Sequence, residues 1–147
     1  MKAHIILFLF GAITASILSS EASAQTCRIT SGVNANGRIV YREVYEYDYV
    51  DDKPQFPGGG SALLNYINET RRYPADAYSR GIEGRVTCAF VINTDGKVSD
   101  VTVLRGVEQT LNKEAVRILS KMPDWTPGKI DGQLVPVRVI CAVPFRK

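Results

Sequence analysis

The 147 residues contain a single histidine, at position 4, and a single tryptophan, at position 125. Beyond His4 no imidazole is available to activate a Ser or Cys nucleophile, to shuttle protons near neutral pH or to complete a His-containing zinc site. Charge is sparse as well. The 18 Lys and Arg barely outnumber the 15 Asp and Glu, and the densest basic pairs, Arg71-Arg72 and Arg146-Lys147, fall in different elements. No basic stripe with interleaved aromatics runs through the chain, which argues against nucleic acid as a partner. The carboxylates Glu43, Glu46, Asp48, Asp51 and Asp52 alternate along a strand-like stretch and read as a solvated face, not as an acid-base pair in a cleft. Gly58-Gly59-Gly60-Ser61 lacks the following Gly-Lys-Ser/Thr of a phosphate-binding loop. The expectation is a chain that is not an enzyme and holds no metal or cofactor.

A long apolar run is also missing. His4 to Leu18 spans 15 residues, short of the ~20 that a membrane-spanning helix needs. With Lys2 ahead of it and Ala22-Ser23-Ala24 behind, the run reads as an export signal over residues 1–24, cleaved before Gln25. An uncleaved anchor is the alternative, and lipidation at Cys27 a third, for which Ala24-Gln25-Thr26 is a poor match.

Residues 25–37 form a polar leader. From Arg38 the pattern alternates, with Tyr41, Tyr45, Tyr47 and Tyr49 on one side of an expected strand that ends at Asp51-Asp52-Lys53-Pro54. Packing of a half-buried strand explains those tyrosines more simply than a sugar or peptide platform does. Ser61 is the expected N-cap of a helix running to about Arg72, with Leu63, Leu64, Tyr66 and Ile67 on its apolar stripe. Tyr73-Pro74 breaks it, and Ala75 to Arg80 adds a short helix ending at Gly81. A hairpin follows: Arg85 to Asn93, a Thr94-Asp95-Gly96 turn, and Lys97 to Arg105, where the step from Val98 to Val101 marks a bulge. Thr110 is the expected cap of a helix through Met122, with Leu111, Ala115, Ile118, Leu119 and Met122 on one face and Pro123 as its stop. Leu134 to Phe145 reads as a last strand.

This order argues for an α+β fold with helices on one face of a sheet. A helix between the second hairpin strand and the last strand makes those two parallel, so the last strand pairs antiparallel with Arg85–Asn93, which becomes central. Cys88 and Cys141 then lie on neighbouring strands in the same core-facing phase. A Cys88–Cys141 disulfide, two buried thiols, and a redox or metal role all remain open at this point. The last strand is left at an edge, and Val135-Pro136-Val137-Arg138-Val139-Ile140 combines high β-propensity with a single charge, which suits addition of a partner strand. Coverage of that edge by the Tyr-rich strand, or by another copy in a homodimer, is the competing reading.

The runs Tyr73-Pro74, Gly81-Ile82-x-Gly84-x-Val86, Phe90-Val91, Asp95-Gly96-x-Val98-x-x-Val101-x-Val103, Leu111-x-x-Glu114-Ala115, Met122-Pro123-x-Trp125-x-Pro127-Gly128 and Pro136-Val137-x-Val139 occur in this order over about residues 54–145. Together they closely resemble the C-terminal domain of the TonB energy-transducer family. The resemblance implies two helices packed on one face of a three-stranded antiparallel sheet over residues 54–147. An extra N-terminal strand would come from residues 25–53. It further implies a periplasmic location and binding of the N-terminal TonB-box peptide of outer-membrane receptors beside the last strand. Engagement of inner-membrane proton-driven motor proteins is implied for an anchored form. Mapped onto this chain, the partner-binding residues are Val135, Val137, Arg138, Val139, Ile140 and Ala142, whereas Trp125-Thr126-Pro127-Gly128 is expected to form the fold. A scaffold whose edge strand self-associates in a cell-envelope complex is the alternative function.

Overall fold

The computed structural model describes residues 27–147, without the side chains of residues 27–31 and 33. The expected export signal and the Cys27 side chain lie outside the described residues. The chain divides into two units, one up to Glu43 and one from Val44 onward.

In the first unit, β1 (Cys27–Val33) neighbours β2 (Ile39–Glu46). Asn34 closes the turn between them: its Oδ1 accepts the N–H groups of Asn36 and Arg38, each at 3.0 Å. Residues 27–33 of the polar leader therefore form a strand. Backbone pairing and an Asn-centred turn need no apolar pattern, so periodicity could not reveal it.

The second unit begins on the last residues of β2. A single 3-10 turn over Tyr47–Tyr49 ends that strand, so Tyr47 and Tyr49 leave the alternating pattern. Both are exposed, and the interior positions go to Val44 and Val50 instead. Tyr41 is exposed too and only Tyr45 is half-buried, so the tyrosine face expected from the alternation does not form. Next come α1 (Gly59–Thr70), α2 (Ala75–Ser79), β3 (Gly84–Ile92), β4 (Val98–Arg105) and α3 (Gln109–Ser120). A small hairpin of β5 (Gly128–Ile130) and β6 (Gln133–Val135) precedes the last strand, β7 (Val137–Phe145).

Strand β3 lies between β7 and β4. It pairs antiparallel with β7 from Gly84↔Phe145 to Ile92↔Val137, and antiparallel with β4 on its other side. The register slips between Ala89 and Val91, opposite Asp100 at φ 52°, where the broken alternation of Val98 and Val101 places a bulge. Phe90, Val86, Cys88 and Ile92 of β3 pack under Ile67 of α1 and Leu111, Ala115, Ile118 and Leu119 of α3 to form the core.

Three local expectations are corrected. Helix α1 starts at Gly59, not after Ser61: Gly58 occupies the N-cap position at φ 87°, and no side chain caps it. Helix α3 is capped by Glu108, whose carboxylate accepts the Thr110 N–H at 2.9 Å and also the Thr110 hydroxyl. A Glu can reach where Thr was expected because the chain is extended at position 108, with φ −152° and ψ 153°. Finally, Leu134 and Val135 do not belong to the last strand. Pro136, which has no N–H to donate, separates β6 from β7, and Val135 pairs with Gly128 instead.

Candidate functional site

β7 is not the edge strand expected from the sequence, since it lies between β2 and β3. Its ladder with β2 is only two residues long, however, and the rest of its outer side is the candidate site. Tyr45 donates its N–H to the Pro136 carbonyl at 2.9 Å, and the parallel ladder pairs Tyr45 with Val137 and Glu46 with Arg138. The backbone groups of residue 136, and by alternation those of 138, 140, 142 and 144, therefore face outward, while those of odd-numbered residues face β3. The ladder with β2 stops at Arg138, where the chain turns away into the Tyr47–Tyr49 turn. Among the described residues no strand pairs with the outer side of β7 beyond that point. Prolines mark both ends of the stretch, Pro136 and Pro144, each at an outward position where the missing N–H breaks no bond to β3. Arg71 occupies the Pro144 carbonyl, with Nη1 at 2.5 Å. The groups of Ile140 and Ala142 lie between, and both side chains are exposed.

The edge is thus shorter than the sequence suggested, and the competing reading is met halfway: among the described residues the end of β2 pairs with Val137 and Arg138, and the turn after it lies against β7. The six expected partner-binding residues divide accordingly. Val135 is in β6; Val137 and Val139 are buried with their backbone turned to β3; Arg138, Ile140 and Ala142 face outward.

Beside this edge lies a groove of about 570 Å³, within the size range of ligand sites. The end of β2 and its turn wall it with Glu46, Tyr47 and Asp48, and the start of α1 contributes Gly59, Gly60 and Leu63. Phe56 and Trp125 supply aromatic surface, and Arg138, Val139 and Ile140 belong to β7 itself. The segment before α1 is held in place by backbone pairs: Gln55 and Thr126 exchange N–H···O bonds of 3.1 and 2.8 Å, and Asp52 does the same with Lys129 at 3.1 and 3.0 Å.

Trp125 was expected only to build the fold, and the structure gives it a second position on the groove wall. Its ring stands nearly perpendicular to Phe56 at 5.7 Å and packs on Phe90 at 5.6 Å. Its backbone N–H donates to Gly96 at 2.8 Å, and a Cβ at Gly96 would lie 2.1 Å from the Trp125 carbonyl oxygen. Glycine in the hairpin turn is therefore what lets the Trp loop come close. The groove walls escaped sequence reading because they come from four separated segments.

Charge on the rim is partly neutralised. Arg138 Nη1 stands 3.4 Å from Glu46 Oε2, both side chains being mostly buried, so two of the expected solvated or exposed charges instead form a pair at the end of the ladder.

Cys88 and Cys141 face each other directly across β3 and β7. Both are free thiols, Cys88 fully buried and Cys141 partly so. Burial, and then the neighbouring Cys141, push the Cys88 thiol up to about 11; burial also raises Cys141.

The sequence profile of the Gram-negative bacterial TonB protein C-terminal family matches residues 69–146. The chain belongs to that family. Over 63 residues it is 44% identical to the protein TonB of Pseudomonas aeruginosa, covering 43% of this chain and 18% of that protein. Over 62 residues it is 49% identical to the protein TonB of Helicobacter pylori strain J99, covering 42% and 22%. The chain thus matches about a fifth of the length of these TonB proteins. Among solved structures, an NMR structure of the H. pylori TonB C-terminal domain aligns with a TM-score of 0.46 at 27% identity, over 58% of this chain and 90% of that one. The P. aeruginosa TonB C-terminal domain aligns at 0.39 and 30% identity, over 52% and 80%. The TonB-type region includes β3, β4, α3 and β7, and so both strands that carry the cysteines and the whole open edge. No helix among the described residues is long and apolar enough to cross a membrane.

Proposed function

We propose that this TonB-family domain is a periplasmic binding module that takes up an extended N-terminal peptide, the TonB box of an outer-membrane receptor, as an added strand on β7. This serves energy-coupled transport across the outer membrane. The observation that carries the reading is the interrupted β2–β7 ladder, which leaves the outward edge of Ile140 and Ala142 next to a groove of mixed polar and apolar lining. An exposed strand edge recognises peptides through main-chain bonds, with pockets for alternate side chains supplying selectivity. Ile140 and Ala142 are the contact residues in this reading, with Arg138 held by Glu46 where the added strand would begin. Val137 and Val139 act from beneath, and Val135 lies outside it.

The test exploits what Pro136 and Pro144 already do. Ala142→Pro removes one outward N–H and leaves the bonds to β3 in place, so the full chain keeps its fold by circular dichroism. It should lose receptor-peptide binding by calorimetry about tenfold, as expected for one main-chain bond and the added steric block, while Ala142→Thr should bind as the parent does. Unchanged binding by the proline variant would rule out strand addition at this edge.

A further inference from the structure

We infer that the groove beside β7 is a selective pocket for one large apolar side chain of the added peptide, with Phe56, Leu63 and Trp125 as its floor and the end of β2 fixing which residue of the peptide enters it. The inference rests on strand addition as proposed above and deepens it.

Three observations converge. The first is continuity: Arg138, Val139 and Ile140 belong at once to the strand edge and to the groove wall, so a strand laid along the edge crosses the mouth of the groove. The second is orientation. Phe56 and Trp125 belong to the core cluster on the helix side of the sheet, with Leu63 packed against it. Every second side chain of an added strand points to that side, and one of these meets the floor. The third is the stop. β2 occupies the edge through Glu46↔Arg138 and then turns away, and Val44 and Val50, only 1% and 3% exposed, anchor the chain on both sides of that turn. An incoming strand begins beyond Glu46, so its first helix-side residue lies near Val139.

The chemistry of the walls selects the occupant. The lining is mixed, but its apolar part, from Phe56, Leu63, Trp125, Val139 and Ile140, favours a large apolar side chain in proportion to the area it removes from water. Asp48 on the rim disfavours a carboxylate, and the cation among the lining residues, Arg138, is already paired with Glu46. Gly59 and Gly60 add no side chains to narrow the mouth, and a Cβ at Gly60 would meet nothing within 4 Å.

Trp125 is the only tryptophan in the chain, so its emission reports directly on the groove. The experiment titrates the full chain with receptor N-terminal peptides in which each residue is replaced in turn by Ser, following binding by calorimetry and Trp125 emission together. The expected result is one apolar position whose replacement weakens binding about tenfold or more and abolishes the emission change. Gly60→Phe, which improves helix propensity and enters open space, should weaken the parent peptide similarly while binding the Ser-replaced peptide as the unmodified chain does. Peptides that bind with a flat scan, or with Trp125 emission unchanged, overturn the pocket and leave strand addition standing. Failure of every receptor peptide to bind overturns both.

Discussion

Arg138 and Glu46 meet at the last rung of the β2–β7 ladder, with Nη1 3.4 Å from Oε2 and side chains 17% and 26% exposed. The pair joins the strand that blocks part of the edge to the strand that offers the rest. Partial burial takes it out of the class of exposed ion pairs that contribute almost nothing. A double-mutant cycle with Glu46→Gln and Arg138→Gln, read by urea denaturation, should give a coupling of about 1 kcal/mol or slightly less, shrinking in about 1 M salt. A coupling of zero would show that the main-chain bonds alone hold β2 there.

Two glycines of positive φ make a paired prediction. At Gly96, φ is 83° and a Cβ would lie 2.1 Å from the Trp125 carbonyl oxygen; at Gly132, φ is 75° and nothing lies within 4 Å. Gly132→Ala should cost only the left-handed backbone penalty, about 1 kcal/mol. Gly96→Ala adds a backbone clash and should cost more than about 2 kcal/mol. It should also shift Trp125 emission, because the Trp loop has to retreat. Equal losses in thermal denaturation would contradict the close packing of the turn on Trp125.

The two thiols set an alkaline limit. Burial first, and Cys141 second, raise Cys88 from the ordinary 9.0 to about 11. Between those values the unfolded chain has released a proton that the folded chain retains, so stability falls as pH rises through this window. Cys88→Ala should flatten the decline. Alkylation by iodoacetamide near pH 8 should leave Cys88 unmodified in the folded chain and modify it readily in urea, as mass spectrometry of the labelled peptides would report.

Glu114 contributes to the acid limit. Burial pushes its carboxyl up, but the hydrogen bonds from Arg117 and the Arg72 backbone, with the charges of both arginines, outweigh burial and leave it below its ordinary value. Arg117 grips both carboxylate oxygens, with Nε 2.8 Å from Oε2 and Nη2 2.6 Å from Oε1, and it also donates to the Thr70 carbonyl at 2.8 Å, clamping α3 to the end of α1. The clamp is complete above the ordinary carboxylate value and is lost as pH falls through the lower folded one. Glu114→Gln should cost about 2 kcal/mol near neutrality and remove that part of the acid dependence in chemical denaturation.

Much of the fold was legible because the decisive signals are local. Leu111, Ala115, Ile118 and Leu119 recur at helical spacing, Thr94-Asp95-Gly96 is turn chemistry, and the helix before the last strand forces the antiparallel pairing of β3 with β7. The caps were misread for a reason of the same scale. Gly58 and Glu108 outcompete Ser61 and Thr110 through backbone angles, to which residue preference is only a guide. The candidate site was legible as an edge but not as a groove. Nothing near Val139 in sequence says that Phe56 and Trp125 stand beside it.

Sequence alone determined that this chain forms an α+β domain of TonB type with a β-prone last strand, because periodicity, turn residues and ordered motifs act over a few neighbours at a time. Only the tertiary structure decided how much of that strand is open. The two-residue ladder to β2, the turn that ends it and the meeting of four distant segments in one groove all depend on register and closure. Those are properties of the packed chain, not of any stretch within it.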